Sequence, residues 1–190
     1  MNKGRLEAFS DGVLAIIITI MVLDLKVPHG TSLADLRPLI PIFLTYVLSF
    51  IYVGIYWINH HHLWQTVGKV NGKILWANLL LLFCLSLFPF ATGWMGENHF
   101  QRMPVIVYGI VLLAADLAWR LLIKLVIQGE KDEQIVELLK GDKKPYISTL
   151  CYLAAVGIGI WQPVVSCIVY GFVALYWFIP SRDLEEFIRK

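Results

Sequence analysis

Residues 5–23 read RLEAFSDGVLAIIITIMVL, an apolar stretch with a polar beginning. Its uninterrupted apolar run, Val13 to Leu23, covers about 16 Å as a helix, which is about half of a bilayer core. A helix that crosses a membrane must therefore also take Ser10 and Asp11 into it. A carboxylate at membrane depth is costly and usually faces protein or a water-filled path. The stretch therefore predicts a spanning helix that the rest of the protein shields from lipid.

One face of this helix carries Ile16, Ile20 and Leu23, at the i, i+4, i+7 spacing that places side chains above one another. Thr19 borders this face. Copies of the helix around a symmetry axis would present stacked apolar rings with one ring of hydroxyls, and such apolar rings can gate a pore by dewetting. Periodicity alone favours an ordinary buried helix that packs through its isoleucines, because most stripes of this kind belong to a core.

The composition indicates a membrane protein. Of the 190 residues, 58% are hydrophobic and only 16% are charged, and the mean hydropathy is +0.67. A soluble domain of this size would expose far more charge, and here the apolar residues come in long blocks. The first segment lacks a small-residue cleavage site, which predicts a retained span. Three cysteines lie in apolar segments without metal-ligand spacing and are expected to be small buried hydrophobes: Cys84, Cys151 and Cys167.

The fold class predicted from these blocks is all-α, with six transmembrane helices in a single domain that covers residues 1–190. Pro89 is expected to kink the third segment. The charged residues 129–145 are expected to form a solvent loop, with room for a short amphipathic helix. The predicted segments are 6–27, 38–64, 74–94, 105–127, 146–160 and 164–179.

The distribution of basic residues predicts the orientation. When the loops are assigned to alternate sides, only Lys26, Arg37 and Arg102 fall on one side, and all other Lys and Arg residues fall on the other. By the positive-inside rule, both termini are then cytoplasmic. The basic residues on that side are Lys3, Arg5, Lys69, Lys73, Arg120, Lys124, Lys131, Lys140, Lys143, Lys144, Arg182, Arg189 and Lys190.

Two motifs carry a resemblance. Arg5-x-x-x-Phe9-Ser10-Asp11-Gly12 resembles the R-x-x-x-F-S-D-G signature of the prokaryotic TMEM175 potassium-channel family. The resemblance continues through VLAIIITIMVLDLKVP and reappears at Trp57-x-Asn59-His60-His61. Together with the six-segment layout it covers essentially the whole chain.

The resemblance implies a homotetramer in the plasma membrane, with the first helix of each subunit lining a central pore that conducts potassium passively. It places the apolar constriction at Ile16, Ile20 and Leu23, and the selectivity position, with potassium nearby, at Thr19. A single ring of hydroxyls predicts only modest preference for potassium over sodium, unlike a stack of carbonyl cages. Potassium is the permeant ion, and no cofactor, nucleic acid or soluble partner is expected.

The polar residues are expected to hold the pore helix in place. Ser10 and Asp11 would exchange hydrogen bonds with polar side chains of neighbouring helices, with Arg5 as a compensating charge; the alternative is that both merely cap a helix. Asn59 and the run His60 to His62 are the expected partners, with His60 or His61 facing inward. The full predicted anchoring network is Arg5, Phe9, Ser10, Asp11, Asn59, His60 and His61.

The remaining polar groups leave other functions open. Asp116 and Arg120 have i, i+4 spacing and are expected to neutralise each other, whereas Asn78 is expected to bind helices together. Asp11, Asp116 and the histidines would also suit a proton relay, so a proton-permeable channel or a proton-coupled transporter is the alternative. A non-conducting structural protein is a further one. The histidines lack the spacing for a metal site, and no catalytic motif supports an enzyme.

Overall fold

The computed structural model of the chain describes residues 3–67 and 70–178, and within these ranges the regular structure is entirely helical. The prediction of an all-α protein is confirmed. Eight α-helices follow one another: α1 (Lys3–Met21), α2 (Ile40–Thr66), α3 (Gly72–Ser86), α4 (Phe88–Glu97), α5 (Arg102–Gly129), α6 (Glu133–Gly141), α7 (Lys144–Ile158) and α8 (Pro163–Phe178).

The connection between α1 and α2 is built from two short 3-10 helices. The first, Val22–Asp24, extends α1, so the helical backbone stops short of the predicted end at Val27. The second, Leu33–Leu39, leads into α2. Its start is capped by Asp35, whose carboxylate accepts hydrogen bonds from the backbone N–H and the hydroxyl of Ser32 at 2.9 and 2.6 Å.

The predicted third segment is two helices rather than one kinked helix. α3 ends at Ser86, Leu87 lies between the helices, and α4 begins at Phe88. Pro89 occupies the first turn of α4, where its missing N–H costs no helical hydrogen bond, and so the chain restarts a helix there instead of bending through one.

The charged stretch 129–145 contains a short helix, α6. Asp132 caps it by accepting hydrogen bonds from the backbone N–H groups of Gln134 and Ile135 at 2.9 and 3.4 Å. Ile135 is its one buried residue and Leu139 also packs against the core, so α6 lies on the surface of the bundle.

Three helical stretches of the described chain are long and apolar enough to cross a membrane: Lys3–Asp24, Leu33–Thr66 and Gly72–Glu97. α5 is 28 residues long but carries several charged side chains, while α7 and α8 have only 15 and 16 residues. The predicted end of the last segment at Ile179, and the basic residues Lys69, Arg182, Arg189 and Lys190, lie outside the described residues.

The helices pack around α5, which contacts α3, α4, α7 and α8, while α1 packs against α2, α3 and α4. Four buried tyrosines join the outer helices. The Tyr52 hydroxyl donates to the carbonyl of Tyr170 at 2.6 Å and accepts from the Tyr152 hydroxyl at 3.3 Å. Tyr108 hydrogen-bonds with Ser49 at 2.9 Å. This cluster fixes α2, α5, α7 and α8 to one another and leaves α1 on one side of the bundle.

Candidate functional site

One side of α1 is packed into the subunit. Its buried residues follow a spacing of three to four positions, which is the period of a single helical face. They are Leu6, Ser10, Leu14, Ile17 and Met21. The helix is therefore oriented by an apolar stripe that is interrupted by one hydroxyl.

The other side of α1 is uncovered. Ile16, Ile20 and Leu23 keep 58%, 46% and 74% of their surface exposed, and Gly12 and Thr19 on the same side are exposed as well. The three residues predicted to form the apolar constriction therefore share one face that the described residues leave largely exposed. An apolar face of this length is available to lipid or to another copy of the chain.

The Thr19 hydroxyl donates its hydrogen bond to the backbone of its own helix. The Thr19 Oγ1 donates to the carbonyls of Ala15 and Ile16, at 2.9 and 3.0 Å. Because the one proton is used in this way, the oxygen lone pairs remain for an electropositive group outside the helix. The side chain can thus offer a weak oxygen ligand to a cation on the uncovered face.

Ser10 is the centre of a buried hydrogen-bond network that joins three helices. Its Oγ donates to the carbonyl of Leu6 at 2.9 Å and accepts from Asn78 Nδ2 of α3 at 3.0 Å. Asn78 Oδ1 lies 2.8 Å from His60 Nε2 of α2, and Trp64 Nε1 donates to the same ring nitrogen at 2.8 Å. The expected link from Ser10 to neighbouring helices is present, and its direct partner is Asn78.

The two hydrogen-bond partners of His60 Nε2 require different protonation of that nitrogen. Trp64 requires a lone pair on Nε2, whereas the Asn78 Oδ1 beside it suits a proton there, and a single nitrogen cannot offer both. Nδ1 is buried and has no hydrogen-bond partner within the described part of the chain. The inward position expected for His60 is confirmed, because only 2% of its surface is exposed.

The partner of Asp11 is Trp57, which lies outside the predicted anchoring network. Trp57 Nε1 donates to Asp11 Oδ1 at 3.0 Å. The predicted direct partners, asparagine and histidine, are engaged elsewhere: Asn59 Nδ2 donates to the Ile55 carbonyl of its own helix at 2.8 Å. The indole N–H of Trp57, one turn before the histidine run, is a suitable donor to a carboxylate, and this is the signal in the sequence that indicates it.

His61 forms a second contact between α1 and α2. Its Nδ1 lies 2.8 Å from Glu7 Oε1, and its Nε2 lies 2.8 Å from Gln65 Nε2. The ring is stacked on Trp57 with a centroid distance of 6.2 Å. Glu7 was absent from the predicted network, although it lies one turn before Asp11 on the same helix and faces the same neighbour.

Arg5 and Phe9 do not join this network. Both are exposed, and in the described part of the chain no hydrogen bond or ion pair links Arg5 to Asp11. Six residues separate the two, which turns them about 120° apart around the helix. The described residues therefore show no direct contact between Arg5 and Asp11, and the compensating charge of Arg5 stays a prediction.

Asp116 and Arg120 meet through a third residue. The Thr149 hydroxyl of α7 donates to Asp116 Oδ2, and Arg120 donates to the Thr149 Oγ1 at 3.0 Å. The guanidinium lies 4.4 Å from the centroid of the Tyr146 ring. Direct neutralisation within α5 was expected; the described residues instead show the pair bridged by Thr149, which the spacing on one helix could not reveal.

The chain is similar to several known proteins. A family model described as "Endosomal/lysosomal potassium channel TMEM175" matches residues 5–89. A potassium channel of Chryseobacterium sp. (strain P1-3) is 52% identical over 191 residues, which covers 100% of both chains. The chain also resembles the crystal structure of a lysosomal potassium-selective channel TMEM175 homolog from Chamaesiphon minutus, with 29% identity, a TM-score of 0.83, and coverage of 93% of this chain and 96% of that one. The endosomal/lysosomal proton channel TMEM175 of Gallus gallus is 36% identical over 103 residues, which is 48% of this chain and 21% of the chicken protein.

Proposed function

The chain belongs to the TMEM175 family, and from this premise we propose that it is a potassium channel whose conduction path is lined by α1. The proposal rests on the uncovered face of α1, which presents Ile16, Ile20 and Leu23. The described residues pack closely against one side of this helix and leave the other side largely exposed, so the exposed side is available for contact outside the subunit. In a channel, the exposed side of this helix faces the pore axis.

The proposed assembly is a homotetramer around α1. Four copies of the uncovered face would enclose a narrow apolar path, and the number four rests on the resemblance of the signature motif to the family. The exposed small residues Gly12 and Ala15 on the same side support close approach of helices at the inner end of such a path. The assembly would also cover the face that a lone subunit leaves bare.

The proposed pore has apolar rings at Ile16, Ile20 and Leu23 and a hydroxyl ring at Thr19. Isoleucine rings of this kind close a pore by excluding water, so they would act as the gate. The Thr19 oxygen, whose proton is bound to the helix backbone, would stabilise an ion that sheds part of its hydration shell. Potassium sheds water more readily than sodium, so one such ring favours potassium modestly.

The proposed topology has six spans, with α3 and α4 together making the third and α6 remaining outside the membrane. α7 and α8 would cover only about 23 Å each, so the bilayer would be thinned around them. The excess of Lys and Arg on one side supports cytoplasmic termini, and the plasma membrane is the proposed location. Asp11 and Ser10 would then anchor the cytoplasmic half of the pore helix.

The test is ion flux from liposomes that hold the purified protein, with outward gradients of potassium or sodium and with or without a proton ionophore. A channel gives fast potassium flux that exceeds sodium flux and needs no proton gradient. Protein-free liposomes set the leak. Slow, saturating or strictly proton-coupled flux would contradict the proposal.

A proton-permeable channel is the second candidate. It is favoured by the name of the animal relatives, which match about half of this chain. In the same liposomes, a proton gradient without potassium would then collapse quickly and independently of the ionophore. That result, with little potassium flux, would replace the first proposal by the second.

A further inference from the structure

A crevice of about 480 Å³ lies beneath α6, away from the face of α1. It is bordered by the ends of four other helices, through Leu63 of α2, Ile123 of α5, Pro145 of α7 and Trp177 of α8. This end of the bundle is the side proposed above to be cytoplasmic. The volume suffices for a small organic molecule.

The crevice continues inward as a narrow recess. The two share Asn59, Trp119 and Trp177 in their walls, and the recess has about 20 Å³ of free space. That is room for a single group of the size of a water molecule. A primary ammonium fits such a space, whereas a quaternary ammonium does not.

A carboxylate lies at the inner end of the recess. Asp116 is only 3% exposed and contributes to the recess wall. Its Oδ2 accepts a hydrogen bond from Thr149, but its Oδ1 accepts none from the described residues. A buried carboxylate with one oxygen left over is a strong acceptor for a charged N–H donor.

The walls between the crevice and Asp116 are aromatic. Tyr56, Trp119, Tyr152 and Trp177 line the recess, and the faces of aromatic rings attract cations. Rings at this end of the bundle already attract the cations of the protein itself, because the Lys144 ammonium lies 5.7 Å from the centroid of the Trp177 ring. The path inward is thus suited to an alkyl chain that ends in an ammonium group.

The mouth of the crevice carries two further carboxylates, Glu137 and Asp142. Among the described residues, no lysine, arginine or histidine lines the crevice or the recess. The lining therefore disfavours nucleotides and phosphate-bearing lipid headgroups, which would need a cation there. Carboxylates therefore lie at both ends of the site, in the recess and at the mouth, with aromatic side chains between them. This arrangement suits a molecule with a positive charge at each end.

We propose that this crevice binds a linear diamine or polyamine. One ammonium group donates to Asp116 in the recess, the alkyl chain lies along Trp119 and Trp177, and the second ammonium group lies at the mouth beside Glu137. The site is distinct from the proposed pore and is present in each subunit. It does not depend on which ion the protein conducts.

Binding is tested by calorimetric titration of cadaverine into the full-length protein in nanodiscs, with pentylamine and pentanediol as matched ligands. Cadaverine should bind saturably, pentylamine more weakly, and the uncharged diol should not bind. Asp116→Asn, which keeps an oxygen for Thr149, should weaken cadaverine binding by about tenfold, as expected for the loss of one charge-assisted hydrogen bond.

Glu137→Gln provides the second variant, because Glu137 is exposed and we expect its replacement to leave the fold intact. It should weaken cadaverine binding about threefold and leave pentylamine binding unchanged. Glu133→Gln is the matched control on the same helix, exposed and outside the crevice lining, and should bind like the unmodified protein. Absence of saturable binding, equal binding of amine and diol, or equal affinity in Glu137→Gln and Glu133→Gln would each overturn the proposal, even if Asp116→Asn fails to fold.

Discussion

The two sides of α1 have the same kinds of residues and opposite surroundings. Each side is a stripe of large apolar residues with a single hydroxyl, Ser10 on the buried side and Thr19 on the uncovered side. Both hydroxyls donate to a carbonyl of their own helix. They differ in what they accept: Ser10 receives a hydrogen bond from Asn78 of α3, whereas the Thr19 oxygen receives none from the described residues.

The contacts on the buried side of α1 fix the orientation of the residues on its uncovered side. A pore helix has to hold its side chains in place without contacts on the pore face, so its orientation must come from elsewhere. Here Asn78 and Trp57 approach α1 from two different helices, and each bonds to a different residue of the Ser10–Asp11 pair. Changes on the buried side should therefore affect folding, and changes on the uncovered side should affect conduction.

The largest effect is expected from Asn78→Leu on the buried side. The change removes the donor to the buried Ser10 Oγ, which costs about 1–3 kcal/mol for a buried group left unsatisfied, while His60 keeps its hydrogen bond from Trp64. The thermal unfolding midpoint and the monodisperse yield in detergent should both fall sharply. Ser86→Ala is the control on the same helix, because the Ser86 hydroxyl is exposed and donates only to Phe83 of its own helix. Equal stability of the two variants would remove the Ser10–Asn78 contact from the anchor.

Ile16→Asn tests the uncovered side. A polar side chain at the apolar constriction should hydrate it and raise potassium flux severalfold, with little change in the unfolding midpoint. Ile16→Val keeps the position apolar and should conduct close to the original rate. If Ile16→Asn leaves flux unchanged, the narrowest point of the pore lies elsewhere.

Asp11 lies between the two sides, and its replacement should act on assembly rather than on selectivity. Asp11→Ala removes the acceptor of the Trp57 indole N–H and should reduce the yield of assembled protein several-fold. Asp11→Asn retains an oxygen for Trp57 and should be milder. Size-exclusion chromatography gives the yield, and flux ratios on the remaining assembled fraction give the selectivity. A normal yield with altered selectivity would reverse the role assigned to Asp11.

The smallest effect is expected at Thr19. Thr19→Val preserves shape and removes the one oxygen that faces the proposed pore, so the preference for potassium over sodium should fall by a few-fold. Thr19→Ser retains the hydroxyl and should keep the preference. An unchanged ratio in Thr19→Val would show that selectivity arises at another position.

The sequence predicts the helical class and the inward position of His60, because apolar length and residue polarity are local properties. It failed where a contact depends on a distant element. The Asp11 partner was sought among Asn59 and the histidines, but Trp57 reaches it, since several donors on one helix differ only in the direction they face. Thr149, which bridges Asp116 and Arg120, lies on another helix, so the i, i+4 spacing of the pair on α5 could not indicate it.

The break before Pro89 shows a different limit. A proline inside an apolar segment predicts a disturbance, but the same residue is compatible with a kink or with the first turn of a new helix. Which of the two occurs depends on whether Leu87 can leave the helical path, and that is decided by packing. The roles of Ile16, Ile20, Leu23 and Thr19 in conduction remain predictions.

Two glycines restrict how this sequence can diverge. A methyl group at Gly96 would lie 2.6 Å from Thr45 Oγ1 and 2.8 Å from the Ile42 Cα, and one at Gly109 would overlap the hydroxyl of Tyr170. Neither site can accept even alanine unless its neighbour changes too. Over evolutionary time, position 109 should therefore vary together with position 170, whereas position 96 should stay glycine, because the Ile42 Cα is a backbone atom that no substitution at position 45 removes. The fixed glycine and the paired substitutions would record in descendant sequences the close approach of α4 to α2 and of α5 to α8.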